Sequence, residues 1–146
     1  SGKLISTFYI PGNLFSVNKV TSESIPNLFA RNERVVCLFE TEAGPICLIL
    51  VGAMIVGSIE TTWSKEIFPT YNIKRVHAID YSSLKKPIEL SKGEEMGRFK
   101  LGSTVISLFD SQAISMDTKI EENYSIKMGQ SLGYTKHLNA NHKKWK

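Results

Sequence analysis

Hydrophobic positions along the chain come in short runs bounded by glycine, proline and polar clusters, a spacing that predicts strands rather than long helices. Residues 4–10, rich in β-branched and aromatic side chains, form the first expected strand and stop at Pro11-Gly12. Residues 35–39 and 46–51 are apolar runs flanking Glu40-Thr41-Glu42-Ala43-Gly44-Pro45, which predicts an antiparallel hairpin. Residues 54–59, 73–76, 104–109 and 124–128 supply the remaining expected strands. One stretch, residues 24–31, reads as a short helix or helical turn with Pro26 near its start. The expected fold class is therefore mainly β with one short helical segment.

Composition narrows the picture without changing it. A length of 146 residues suits one modest domain, and 42% hydrophobic with 22% charged residues is ordinary for a packed globular chain. The longest apolar stretch, residues 45–59, is interrupted by Gly52 and Gly57 and falls short of the ~18 residues needed to span a bilayer. No repeat and no signal peptide is visible. The net charge of +4 is concentrated toward a basic polar tail, residues 131–146, where Lys136, Lys143, Lys144 and Lys146 accompany Trp145, His137 and His142. Such a tail is either simply solvated or rests on an anionic lipid surface with its indole at the headgroups. No nucleic-acid-binding motif accompanies the charge and no phosphate-cradling loop is present, so neither a nucleic-acid partner nor nucleotide chemistry is expected. Cys37 and Cys47 sit on the two hairpin arms. A disulfide there is geometrically conceivable, two buried reduced thiols are the other reading, and no metal site is expected because no histidine lies at ligand spacing.

The chemistry-bearing segment is Gly93-Glu94-Glu95-Met96-Gly97-Arg98-Phe99-Lys100-Leu101-Gly102-Ser103-Thr104-Val105-Ile106. A serine directly after glycine can turn its hydroxyl on the preceding carbonyl, since glycine offers no side chain to obstruct the approach. On its own the dipeptide is a common turn. Gly93 and Gly97 are expected to loosen the approach, and residues 104–109 to form a buried strand that grips the far side of the Gly102–Ser103 bond. Glu94 and Glu95 read as a solvated pair, and His77 as a solvent-facing strand histidine whose alternative is a part in the serine chemistry. Leu14, Phe15, Leu28 and Phe29 are apolar residues near turns, with core burial as the default and lipid contact as the alternative.

The segment resembles the processing site of bacterial phosphatidylserine decarboxylase. Three upstream blocks resemble the same family in the same order: Tyr9-Ile10-Pro11-Gly12-Asn13-Leu14-Phe15-Ser16-Val17-Asn18, Asn27-Leu28-Phe29-Ala30-Arg31-Asn32-Glu33-Arg34-Val35-Val36, and Ile49-Leu50-Val51-Gly52-Ala53-Met54-Ile55-Val56-Gly57-Ser58-Ile59-Glu60-Thr61. The resemblance implies a compact barrel-like sandwich of antiparallel strands and a self-cleaving proenzyme. Cleavage would fall between Gly102 and Ser103, leaving residues 1–102 in a beta chain and starting an alpha chain at Ser103. One β-rich domain would cover residues 1–130, its alpha-chain part being residues 103–130. Ser103 would act first as the cleavage nucleophile and then as precursor of a covalent pyruvoyl cofactor. That group would form a Schiff base with phosphatidylserine and drive loss of carbon dioxide to give phosphatidylethanolamine.

The resemblance also implies a peripheral enzyme on the cytoplasmic side of the cell membrane, with an anionic membrane surface as partner and, in that reducing setting, Cys37 and Cys47 as buried reduced thiols. The aspartate and histidine that assist the family's serine lie upstream of the block beginning here near Leu4, so a missing amino-terminal region is an expected partner and the chain is expected to be a fragment. The alternative is an unprocessed, inactive fragment or relative that serves as a lipid- or protein-binding β module.

Overall fold

The computed structural model describes residues 1–54, 58–64, 67–68 and 74–136, and among them it is mainly antiparallel β, as expected. The principal sheet has six strands. Its path runs β6 (His77–Asp80), β1 (Gly2–Ile10), β2 (Arg34–Thr41), β3 (Gly44–Val51), β9 (Thr104–Phe109), and β7 (Glu89–Leu90) adds to β1 beside β6. A three-stranded sheet places β4 (Ile59–Thr61) between β5 (Ile67–Phe68) and β8 (Gly97–Phe99). The last pair is β10 (Ile114–Met116) with β11 (Gly133–Thr135).

The hairpin of β2 and β3 forms where the two apolar runs predict it. Its ladder closes further out than expected, pairing Thr41 with Gly44 and leaving residues 42–43 as the turn. Thr41 reinforces that turn, its hydroxyl donating to the Gly44 carbonyl at 2.7 Å. On β1 the register shifts between Leu4 and Ser6, and this bulge explains why Leu4, Thr7 and Tyr9 all point inward despite breaking strict alternation. Leu4 and Tyr9 meet Val35, Cys37, Phe39 and Leu50 from β2 and β3 and Ile59 from β4 in one buried cluster. Trp63, Met96 and Phe99 close it from the small sheet's side, with Trp63 edge-on to Phe39 at a centroid distance of 5.8 Å. The core is thus a two-layer packing of the large sheet on the small one.

Several expectations are corrected. The helix over residues 24–31 is two short helices, α1 (Lys19–Ser24) and α2 (Leu28–Arg31). Pro26 cannot continue α1, and Asn27 adopts a left-handed φ of 57° between them. The strand over residues 54–59 begins only at Ile59, Met54 lies in an exposed turn, and residues 55–57 lie outside the described residues. The strand over residues 73–76 starts instead at His77; residues 74–76 are not strand, and Ile73 lies outside the described residues. Residues 124–128 are irregular chain rather than strand, with Tyr124, Ile126 and Met128 exposed. The nearby strands are β10 and β11, too short and polar to announce themselves. Residues 137–146, with His137, His142 and most of the basic tail, lie outside the described residues. Among the described residues no helix is long and apolar enough to cross a membrane.

Candidate active site

Gly102 and Ser103 sit at the seam between the connection from β8 and the start of β9. Gly102 has a φ of +34°, the left-handed region where a side chain is disfavoured, and among the described residues no atom beyond its two chain neighbours lies within 4 Å of where its Cβ would be. Conformation, rather than crowding, selects glycine there, and it leaves the peptide open to approach. Thr104 then enters the ladder opposite Val51 and the pairing continues to Phe109 opposite Ile46. The bond between Gly102 and Ser103 therefore joins an exposed bend to a fixed strand.

The Ser103 hydroxyl donates to the main-chain carbonyl of Val51. Val51 is fully buried and ends β3, so the acceptor belongs to the most tightly packed part of the molecule. The next residue, Gly52, is held on both sides of its backbone. Its N–H donates to the Glu33 carbonyl at 2.8 Å, and its carbonyl accepts from Asn32 Nδ2 at 2.9 Å. Asn32 is completely buried; Nδ2 also donates to the Phe15 carbonyl at 2.8 Å, while Oδ1 accepts from the Phe15 N–H at 3.0 Å. Glu33 is nearly buried too, its N–H donating to the Asn13 carbonyl at 2.8 Å and its Oε2 accepting from the Tyr9 hydroxyl at 2.9 Å.

Burial pushes the Glu33 carboxyl above its ordinary range, and the Tyr9 hydrogen bond partly offsets this. Tyr9 is raised as well, by burial first and then by its bond to Glu33 and the charge there. The pair is thus held as a neutral phenol on a carboxyl that resists ionisation.

Other candidates fall elsewhere. His77 is exposed on β6, and the register line from it runs through Tyr9, Val35 and Leu50 to Val105. Four strand spacings separate His77 from that position, roughly 19 Å at ~4.8 Å per spacing, which removes it from the Ser103 neighbourhood. Glu94 accepts from the Ser91 N–H at 2.7 Å and Glu95 pairs with Arg98 at 2.7 Å, both at the surface as expected. Gly97 is not a loosening element: a Cβ there would lie 2.5 Å from the Glu60 carbonyl oxygen, so glycine permits the close pairing of β8 with β4. Cys37 and Cys47 are free, and burial pushes the Cys37 thiol up to about 12. Leu28 is buried in the core, while Leu14 and Phe29 remain partly exposed; Phe15 packs under Arg31, whose guanidinium carbon lies 4.8 Å from the ring centroid.

Among the described residues β9 is an edge strand rather than the buried strand expected. Val105 and Leu108 are about half exposed, at 50% and 51%, because β3 flanks one side only. Along it opens a groove of about 840 Å³ with walls that include Leu108, Phe109, Met116, Leu132 and Tyr134.

Residues 1–134 match the family model for phosphatidylserine decarboxylase. The chain belongs to that family. It is 54% identical over 129 residues to the phosphatidylserine decarboxylase proenzyme of Vibrio parahaemolyticus, covering 88% of this chain and 45% of the relative. The proenzymes of Ectopseudomonas mendocina and Pseudomonas fluorescens are 50% and 49% identical over 133 residues, each match covering 91% of this chain and 46% of the relative. The chain spans about half the length of these curated relatives. The family block around Asn32 and Glu33 was visible in the sequence, but nothing in it signalled that these two residues reach Gly52 and, through it, the carbonyl holding Ser103.

Proposed function

We propose that this chain is the carboxy-terminal part of a phosphatidylserine decarboxylase that cleaves itself between Gly102 and Ser103. The observation that carries the reading is a serine hydroxyl held on a buried carbonyl immediately after a left-handed, unobstructed glycine. In the first step Ser103 Oγ bonds to the Gly102 carbonyl carbon as the bond from that carbon to the Ser103 nitrogen breaks, leaving the two parts joined by an ester. Loss of the Ser103 α-proton then expels the Gly102 carboxylate and cuts the chain, and water takes the place of the nitrogen, released as ammonia, to leave the ketone. In the first step the Oγ proton leaves to a general base, and the nitrogen takes up a proton as it becomes an amine. A normal serine hydroxyl needs such a base. Among the described residues no carboxylate or imidazole is hydrogen-bonded to Ser103, so we assign the base to the aspartate and histidine of the family's upstream segment.

Gly102 and Ser103 fit the precursor of a pyruvoyl cofactor: an open glycine would end one chain, and a residue anchored by β9 would begin the other. The group supplies an electron-accepting carbonyl to a substrate amine, a role no protein side chain fills. The β9 strand would keep that chain end in place, and its apolar groove suits a lipid substrate, phosphatidylserine, approached from an anionic membrane surface on the cytoplasmic side. The products would be phosphatidylethanolamine and carbon dioxide.

The test uses the full-length protein. Mass spectrometry of the parent should show two chains, the smaller blocked at its amino terminus and reactive toward a carbonyl reagent, whereas Ser103→Ala should stay intact and release no carbon dioxide from phosphatidylserine vesicles. A parent that remains one chain, or decarboxylation persisting in Ser103→Ala, overturns the reading.

A further inference from the structure

The acceptor that holds Ser103 is not a free carbonyl. Val51 O and the Gly52 N–H belong to the same peptide plane, so whatever fixes one end of that plane fixes the other. The Gly52 N–H is tied to the Glu33 carbonyl at 2.8 Å, and the Gly52 carbonyl to Asn32 Nδ2 at 2.9 Å. Two consecutive residues, Asn32 and Glu33, therefore grip Gly52 from both sides. Neither can drift: Asn32 has no exposed surface and three side-chain hydrogen bonds, and Glu33 is tied through its own N–H to Asn13 and through its carboxyl to Tyr9 at 2.9 Å.

We propose that Asn32 and Glu33 are positioning residues for the cleavage: Glu33 holds the Val51–Gly52 peptide, Asn32 holds the peptide after it, and together they clamp Gly52 so that the Val51 carbonyl aims the Ser103 hydroxyl. The inference rests on self-cleavage at Ser103 and adds the device that sets the nucleophile's direction. Without the clamp the hydroxyl would rotate among its staggered positions, and only a fraction of them face the Gly102 carbonyl carbon. Glu33 acts mainly through its main chain here; its side chain anchors that main chain to β1 through Tyr9. Gly52 is part of the same device. A Cβ on it would lie 3.2 Å from the Glu33 carbonyl oxygen and 3.3 Å from both Glu33 Cγ and Oε1, so even one methyl group must push the clamp apart.

The clamp also has a defined lifetime. It holds a hydroxyl, and once Ser103 has become a ketone there is no hydroxyl left to aim. Its loss should therefore slow processing far more than it slows turnover by molecules already processed. A purely structural role would depress both together.

Two variants of the full-length proenzyme test this. Asn32→Asp keeps the side-chain shape and the acceptor for the Phe15 N–H but removes both Nδ2 donations. Gly52→Ala, at a residue outside the left-handed region, adds only the crowding methyl. Appearance of the smaller chain is followed by mass spectrometry after synthesis, and carbon dioxide release from phosphatidylserine vesicles is measured per carbonyl-reactive chain end. Both variants should process about tenfold or more slowly, with turnover per reactive end falling far less. Should Asn32→Asp fail to fold, Gly52→Ala decides alone. Parent-like processing in Gly52→Ala overturns the clamp, as does slowing matched by equal losses of turnover and thermal stability. A parent that is never cut overturns self-cleavage itself, and the two failures are thereby told apart.

Discussion

The centre of the large sheet and the segment from β9 onward are built from the same kinds of residue and end in opposite states. Leu4, Val35 and Cys37 show no exposed surface, whereas Val105 is 50%, Leu108 51% and Tyr134 68% exposed. The strands are equally apolar; their neighbours differ. β1 and β2 have strands on both sides and the small sheet across one face, while β9 has β3 on one side and an open groove beside it. An apolar alternation thus predicts that a strand forms, but burial is decided by how many layers reach it. The Gly102–Ser103 bond lies at the boundary between the two conditions, with its acceptor in the packed half and its serine at the head of the exposed strand.

Thiol chemistry should show the widest gap between the halves. The Cys37 thiol, pushed up to about 12, carries almost no thiolate at mildly alkaline pH. In the folded full-length protein it should react with a maleimide about a thousandfold more slowly than the thiol introduced by Leu108→Cys, if that one titrates near the ordinary ~8.5. Site-resolved mass spectrometry reads both rates, and comparable labelling would erase the distinction. Truncation should separate the halves next. Leu4→Ala is expected to cost about 2–5 kcal/mol of unfolding free energy, and Leu108→Ala less than about 1 kcal/mol, in denaturant titrations. A large cost at Leu108 would mean that another part of the full-length protein covers β9.

The smallest effect concerns the buried carboxyl. Because the folded-state pKa of Glu33 lies above its ordinary value of 4.5, the folded protein binds more protons than the unfolded chain between those two values. Its stability therefore falls as pH rises across that window, and Glu33→Gln should remove this loss while still accepting the Tyr9 hydrogen bond. Thermal melts should show the variant gaining on the parent as pH rises above 4.5. A constant difference across that range would show that Glu33 ionises as freely folded as unfolded.

Much of this architecture was legible from local pattern. Residues 4–10, 35–39 and 46–51 form the strands read from their apolar runs, because each has partners on both sides and its side chains decide its fate. Residues 124–128 misled for the complementary reason: Tyr124, Ile126 and Met128 have strand-like character but no ladder to join. The helix over residues 24–31 failed at Pro26 and Asn27, where local backbone chemistry outweighed the surrounding pattern. Ser103 stood out through its motif. The carbonyl it bonds lies 52 residues earlier in the chain, and the Asn32 contact with Gly52 spans 20 more. Contacts of that range are created where β3 pairs with β9 and β2 with β3, and they leave no trace in any local run.

The β3–β9 ladder matters beyond placing the serine. If the chain is cut ahead of Ser103, residues 104–109 still pair with residues 46–51, so the severed piece remains stitched into its parent's sheet. Scission would then yield a two-chain complex whose subunits never have to find each other. Its interface would be inherited from a single fold, and the freshly made chain end would be delivered already docked.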